Sequence, residues 1–309
     1  MATKLDGFVF NGTEYEICDT TAREQLAAQV ASRTEVNADY AAEVIDARVG
    51  DDGELYPSLG EALRQQVYAL KVALAAATQS RFKGKTFSIL GDGTTTLSGY
   101  LPTDCVSWYN GSNAEVEELS DTFWGKFIAN TGMELVVNNS WSGSKLVYDG
   151  TNANSFMAGD ARIHKLGNNA PDYIFVMCGK NDIASETTLG EFTPELVNLE
   201  DIQDTDLDNF ASAYKVMLQR LMTKFPNTKI VVLWYHNMGS CPTIEAPNYA
   251  IQYQFAEVAE KTAKFYGCQW IDLRKSGINM VNNAELDVEN HPTKAGHKLY
   301  YQYIIQELR

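Results

Sequence analysis

Thr86-Phe87-Ser88-Ile89-Leu90-Gly91-Asp92-Gly93-Thr94 is a short apolar run that stops abruptly at Gly-Asp-Gly. Its length and lack of polar alternation predict a strand buried on both faces, as in a parallel sheet covered by helices. Comparable runs follow at Leu135 to Val137, Tyr173 to Met177, Ile230 to Tyr235 and Gln269 to Leu273. Between them, apolar residues recur at helical spacing: Val116, Leu119, Phe123, Phe127; then Phe210, Tyr214, Met217, Leu218, Leu221; then Ile251, Phe255, Val258, Thr262, Phe265. A final helix is expected from about Thr293 to Leu308, with Leu299, Tyr303 and Ile304 turned inward. Strand and helix in alternation predict an α/β fold, a three-layer α/β/α sandwich on a parallel sheet.

Residues 1–82 have a different character from 83–309, and the chain divides there into a small appendage and a main domain. Two β-prone runs flank Asn11-Gly12, a strong hairpin signal. Asp19-Thr20-Thr21 offers caps for a helix over Ala22 to Val30, and Ser58-Leu59-Gly60-Glu61 has the spacing of a capping box before a helix over Ala62 to Ala76. Leu63, Val67, Leu70 and Leu74 form a stripe along that second helix, expected to pack on the main domain or on sister chains. In the stretches NGTEYEICDTTAREQ from Asn11 and EVIDARVGDDGELYPSLGEALRQQ from Glu43 this segment resembles the N-terminal modules of phage tail and baseplate appendage proteins, which implies a homo-oligomer formed through residues 1–82; a linker helix pair without assembly function is the alternative.

Charge narrows the range of partners. The net charge of −15, from 25 Lys+Arg against 40 Asp+Glu, repels phosphate, so neither nucleic acid nor an anionic membrane surface is expected as partner. No stretch approaches the length of a membrane span, and no secretory leader is evident in the first residues; export or a place on a virion stays open. Cys18, Cys105, Cys178, Cys241 and Cys268 lack metal-ligand spacing and are odd in number, so scattered thiols are expected, with no metal site.

Four segments carry chemistry. Gly91-Asp92-Gly93 closes the first main strand, Gly143 follows the second in Asn138-Asn139-Ser140-Trp141-Ser142-Gly143, Gly179-Lys180-Asn181-Asp182 follows the third, and His291-Pro292 precedes the last helix. In open parallel sheets ligands bind beyond the carboxyl ends of the strands, and all four segments fall there. Together, in this order, they resemble the SGNH (GDSL-type) hydrolases over about residues 84–309. The resemblance implies a flavodoxin-like sandwich and an ester hydrolase that needs no metal or organic cofactor. It also implies that the nucleophile position is 93, that His291 is the base, that the backbone of Gly93, Gly143 and the Asn181 amide form the oxyanion hole, and that Asp92 and Asp182 are supporting residues.

Two departures stand out. Where the family carries its nucleophilic serine this chain has Gly93, which cannot be acylated. Three readings follow: a serine replaced in an otherwise competent esterase, a natural protein that binds without catalysis, or attack by Thr94 or Thr95. The supporting carboxylate normally lies three residues before the histidine, which here is Val288; Asp287, brought in by a bulge, is the expected substitute, with an unsupported base as the alternative. His164, His236 and His297 lack motif context and are expected to be structural or exposed. Trp108, Tyr109 and Trp141 lie where a sugar ring could stack, and Ser185 to Asp206, with seven acidic residues and no Lys or Arg, is placed like a lid. Short O-acyl esters of small molecules or glycans are the expected substrates; a non-catalytic glycan-binding or virion-appendage protein is the rival reading.

Overall fold

The computed structural model describes residues 8–10, 13–15, 59–110, 115–238, 247–279 and 281–308. The chain forms two compact units, Met1–Ala76 and Ala77–Arg309. In the first, β1 (Phe8–Phe10) and β2 (Thr13–Tyr15) pair antiparallel, Phe8 opposite Tyr15, as the Asn-Gly signal predicts. The helix expected at Ala22 to Val30 and the Ser58 cap lie outside the described residues. Helix α1 (Leu59–Phe82) outruns its expected end at Ala76, because no glycine or proline follows Ala76 before Gly84. Its Leu63, Val67 and Leu70 are 60%, 43% and 68% exposed.

The second unit is built on five parallel strands: β3 (Thr86–Gly91), β4 (Glu134–Ser140), β5 (Tyr173–Met177), β6 (Lys229–Trp234) and β7 (Gln269–Asp272), all five where the apolar runs predict them. Their order across the sheet is β4-β3-β5-β6-β7. The chain therefore leaves β3 for one side, then crosses to the other, and a crevice opens outside the carboxyl end of β3 at this switch point. Registers run Gly91 with Ser140 on one side and Gly91 with Met177 on the other.

The helices are α2 (Phe123–Thr131), α3 (Asp160–His164), α4 (Lys180–Ala184), α5 (Phe210–Lys224), α6 (Pro247–Phe265), α7 (Asn283–Leu286) and α8 (Lys294–Glu307). Phe210, Tyr214, Met217, Leu218 and Leu221 of α5 are all solvent-inaccessible, as their spacing predicts. Burying each large apolar side chain contributes about 1.5–3 kcal/mol, so this face anchors the layer. Val116 and Leu119 precede α2 instead of belonging to it. Leu119–Asp121 forms a 3-10 turn, and the Thr122 hydroxyl accepts the Gly125 N–H to start the helix one residue later. In α8, Tyr300 and Ile304 are buried while Leu299 and Tyr303 are half-buried.

Residues 185–206 do not form a lid. They are strapped along α5, where Gln219 bonds both Val197 N and Val197 O, Lys215 reaches Thr193, and Arg220 pairs with Asp204 at 2.6 Å. The acidic stretch thus meets the basic flank of one helix. Among the described residues no helix is long and apolar enough to cross a membrane.

Candidate active site

The turn after β3 is shaped by contacts its sequence permits. A methyl group on Gly91 would lie 2.0 Å from Thr95 Oγ1, so glycine is required for the chain to fold back there. Asp92 is fully buried: one carboxylate oxygen accepts the Thr94 N–H at 3.0 Å, and the other accepts the Tyr235 hydroxyl at 2.6 Å. Thr94 Oγ1 accepts from Lys180 Nζ at 2.8 Å, while Thr95 Oγ1 donates to Asp92 O at 3.0 Å and meets Ser140 Oγ at 2.7 Å. Both threonine hydroxyls are buried and committed, so attack by either finds no support in this geometry.

Gly93 opens a 3-10 turn, and its backbone is outside the left-handed region. Nothing in its conformation demands glycine. What stands in the way of a side chain is the imidazole of His291: a methyl on Gly93 would lie 2.6 Å from His291 Nε2, with Ser142 Oγ and Trp108 Cβ each at 3.3 Å.

His291 is delivered by a tight hairpin. Strands β8 (Asp287–Val288) and β9 (His291–Pro292) pair antiparallel, joined by Glu289 and Asn290 at φ 51° and 62°, the two left-handed positions of a two-residue hairpin turn. The His291 ring stacks on Trp108 with centroids 3.8 Å apart and planes 6° from parallel. Its Nδ1 lies 2.8 Å from Glu289 O, and because a carbonyl only accepts, Nδ1 carries the hydrogen and Nε2 the lone pair. Burial, reinforced by the nearby Lys180 ammonium, pushes the His291 pKa down to about 2. The ring is therefore a neutral acceptor aimed at residue 93.

Asp287 does not support His291, contrary to the sequence expectation. In a strand pair, directly opposed residues share a face and successive ones alternate, so Val288 faces with His291 while Asp287 turns to the other side with Pro292. There Asp287 Oδ1 accepts Asn290 N–H at 2.8 Å, and Oδ2 lies 3.0 Å from His236 Nε2, an ion-pair distance without hydrogen-bond alignment. His236 Nδ1 in turn meets the Tyr300 hydroxyl at 2.5 Å. The carboxylate thus braces the hairpin against the end of β6 and α8, and the group on His291 Nδ1 is a backbone carbonyl.

On the opposite wall, Gly143 adopts φ 77° in a turn closed by Ser144 N–H to Trp141 O at 3.0 Å. Its own N–H makes no hydrogen bond among the described residues. Asn181 Nδ2 donates to Ser144 O at 2.8 Å, which fixes the amide beside that turn and leaves its second hydrogen for a ligand. Asp182 is fully buried and accepts Leu146 N–H with both oxygens at 3.0 Å and Val147 N–H at 3.2 Å. Burial outweighs those bonds and raises its pKa to about 6.

Sequence reasoning passed over Lys180, although its position inside Gly-x-Asn-Asp was a signal. The side chain is buried, donates to Thr94 Oγ1 and to Asn290 O at 2.9 Å, and sits 5.6 Å from the Tyr235 ring centroid. It ties the turn carrying Gly93 to the turn carrying His291. Arg162 was missed too: its guanidinium reaches Asn139 O at 2.9 Å, Ser155 O at 2.6 Å and Gly91 O at 3.3 Å, holding the ends of β3 and β4 together. Of the aromatics, Trp108 is spent on His291, and Tyr109 is buried with its hydroxyl on Pro292 O at 2.8 Å. Trp141 is half-buried. His297 is buried with Nδ1 accepting Phe123 N–H, and His164 is exposed beside Asp160.

A family model described as GDSL-like Lipase/Acylhydrolase matches residues 85–306. Among solved structures, a protein described as a GDSL-like lipase from Bacteroides ovatus ATCC 8483 is 26% identical with a TM-score of 0.58, covering 72% of this chain and 97% of its own. One described in the same terms from Bacteroides uniformis ATCC 8492 is 24% identical with a TM-score of 0.56, covering 73% and 95%. A Lactobacillus plantarum protein shares the fold at 20% identity and a TM-score of 0.54, covering 72% and 96%. No curated protein sequence matches the chain.

Proposed function

Because this chain belongs to the GDSL-like lipase/acylhydrolase family, we propose that its crevice is an SGNH-type ester-hydrolase site for short O-acyl esters, acetylated carbohydrates among them, lacking its usual nucleophile at Gly93. The observation that carries this reading is the approach of His291 Nε2 to 2.6 Å from the Cβ position of residue 93. A serine there, with the imidazole set back enough to clear its Cβ, would give its proton to Nε2 as its oxygen bonds the ester carbonyl carbon. The N–H groups of Gly93 and Gly143 and the free hydrogen of Asn181 Nδ2 would receive the developing oxyanion, each such donor worth roughly 2.7–4 kcal/mol in the transition state. The proton then passes from His291 to the departing alcohol, and water releases the acid by the reverse sequence. No metal or organic cofactor enters.

The test is G93S assayed on p-nitrophenyl acetate. Triad nucleophiles contribute several orders of magnitude, so kcat is expected to rise at least about 100-fold over the unmodified chain. A folded G93S with no turnover above the solution background, or with turnover that H291A leaves unchanged, rejects the reading.

A second reading is favoured by the exposed Leu63, Val67 and Leu70 of α1. Their spacing repeats every three to four residues, the pattern of a seam between helices of sister chains. In that reading residues 1–82 assemble a homo-oligomer and the crevice only recognises acylated glycans, as an appendage protein would. Sedimentation of the full chain against residues 83–309 tests it: a monomer in both forms removes the assembly role.

A further inference from the structure

Ser142 flanks the place where the missing side chain would react, with Oγ 3.3 Å from the Cβ position of residue 93, and we propose that its hydroxyl takes the acyl group in place of residue 93. The proposal rests on the ester-hydrolase reading of this site. Both Ser142 Oγ and His291 Nε2 fall within 3.3 Å of a single point, the Cβ position of residue 93. With glycine there, no side chain fills the space that borders both the serine hydroxyl of one wall and the base of the other. Any larger residue at 93 would place its Cβ at that point.

The surroundings suit the role. Ser142 is half-buried, next to the exposed Gly143, so a substrate can reach it. Its hydroxyl makes no hydrogen bond among the described residues, His291 Nε2 included, so it is free to turn toward that ring as substrate binds, whereas Ser140 Oγ is held by Thr95 and Asn138 and Ser144 Oγ by Ser155 O. Its backbone is fixed: Ser142 N–H donates to Val106 O at 2.8 Å, and the residue is the second of a turn closed by Ser144 N–H to Trp141 O. The N–H immediately after it, that of Gly143, is unengaged within the described residues, and Asn181 Nδ2 sits on the same turn through Ser144 O. A nucleophile at the tip of a tight turn after a strand, followed by a backbone donor, is a workable arrangement for acyl transfer.

The step balances without a further reagent. Ser142 Oγ bonds the ester carbonyl carbon as its proton moves to His291 Nε2; the C–O bond to the alcohol breaks, and that alcohol leaves with the proton. Water then attacks the acyl-serine, giving its proton to the same nitrogen, and the carboxylic acid departs as Ser142 recovers its hydrogen.

The experiment uses the unmodified chain, G93S and H291A, each treated with a fluorophosphonate ester and read by peptide mass spectrometry. The unmodified chain is expected to carry the phosphonyl mass on Ser142, formed at least about 10-fold more slowly in H291A, and its p-nitrophenyl acetate turnover to fall about 10-fold or more in S142A. Absence of label on Ser142, or label on another residue, with G93S labelled at its introduced hydroxyl, overturns this proposal and leaves the ester-hydrolase reading standing. Absence of label in both the unmodified chain and G93S overturns both. The site of the adduct is read on the unmodified chain, and far-ultraviolet circular dichroism of G93S, H291A and S142A checks that each variant is folded before its result is counted.

Discussion

The imidazole of His291 lies flat on the indole of Trp108, 3.8 Å between centroids and 6° between planes, with Nδ1 tied to Glu289 O on its own hairpin. Two restraints, one from each side of the crevice, fix the ring where a carboxylate does not. If stacking supplies the orientation that a third triad member supplies elsewhere, W108A in the G93S background should lower kcat by about 10- to 100-fold, the scale of a misplaced catalytic group, with KM little changed. W108F should recover most of the loss. Steady-state kinetics on the three proteins decide it, and equal kcat in all would assign Trp108 to packing alone.

Lys180 is the second cause of the low His291 pKa, after burial, because its ammonium repels a proton on the ring. Removing that charge makes imidazolium easier to form. In G93S, whose acid limb of kcat/KM is expected below the ordinary histidine value of 6.5, K180M should move the limb upward. A pH-rate profile in which the limb stays fixed or moves down contradicts the electrostatic role and leaves Lys180 as a tether between Thr94 and Asn290.

Asp287 faces His236. In G93S, D287N should therefore keep kcat within about tenfold, where loss of a true orienting carboxylate costs about 10,000-fold. The cost should appear in stability, since Asp287 holds Asn290 N–H and approaches His236. Kinetics paired with thermal melting separate the two outcomes; a collapse in kcat with an unchanged melting temperature would restore Asp287 to the catalytic set.

Acid sensitivity follows from three buried groups. His291 and His297, at about 2 and about 3, stay neutral in the folded chain, whereas both take up protons once unfolded below pH 6.5, so their contribution to stability is lost as pH falls. Asp182, raised to about 6 by burial, works in the opposite sense: between pH 6 and 3.8 the folded chain holds a proton that the unfolded chain has released. The unfolded state thus binds one more proton on balance, and stability should fall by roughly 1.4 kcal/mol per pH unit between pH 6 and 4. D182N removes the offset and should about double the slope. Urea titrations at several pH values measure both, and a flat profile for the unmodified chain would contradict the balance.

Apolar runs and helical spacing in the sequence sufficed for the five strands, the α5 face and the hairpin at Asn11-Gly12, because each rests on periodicities short enough to read locally. The four glycine- or histidine-bearing segments were legible for a related reason: in a parallel sheet every strand ends at the same edge, so the order of motifs along the chain implies a shared crevice. Asp287 was misjudged because one residue of register decides which face of β8 a side chain occupies, and that register is set by a turn whose left-handed residues, Glu289 and Asn290, carry no strong signal together. Lys180, Trp108 and Ser142 acquire their roles from neighbours more than 30 residues away, as Thr94, His291 and Gly93 are, and no local pattern announces such pairings. The sequence by itself determined the layers, the edge at which chemistry can occur and the absence of a side chain at residue 93. The tertiary structure alone decided which hydroxyl, carbonyl and ring stand around that residue, since contact between distant segments depends on register and packing of the whole sheet.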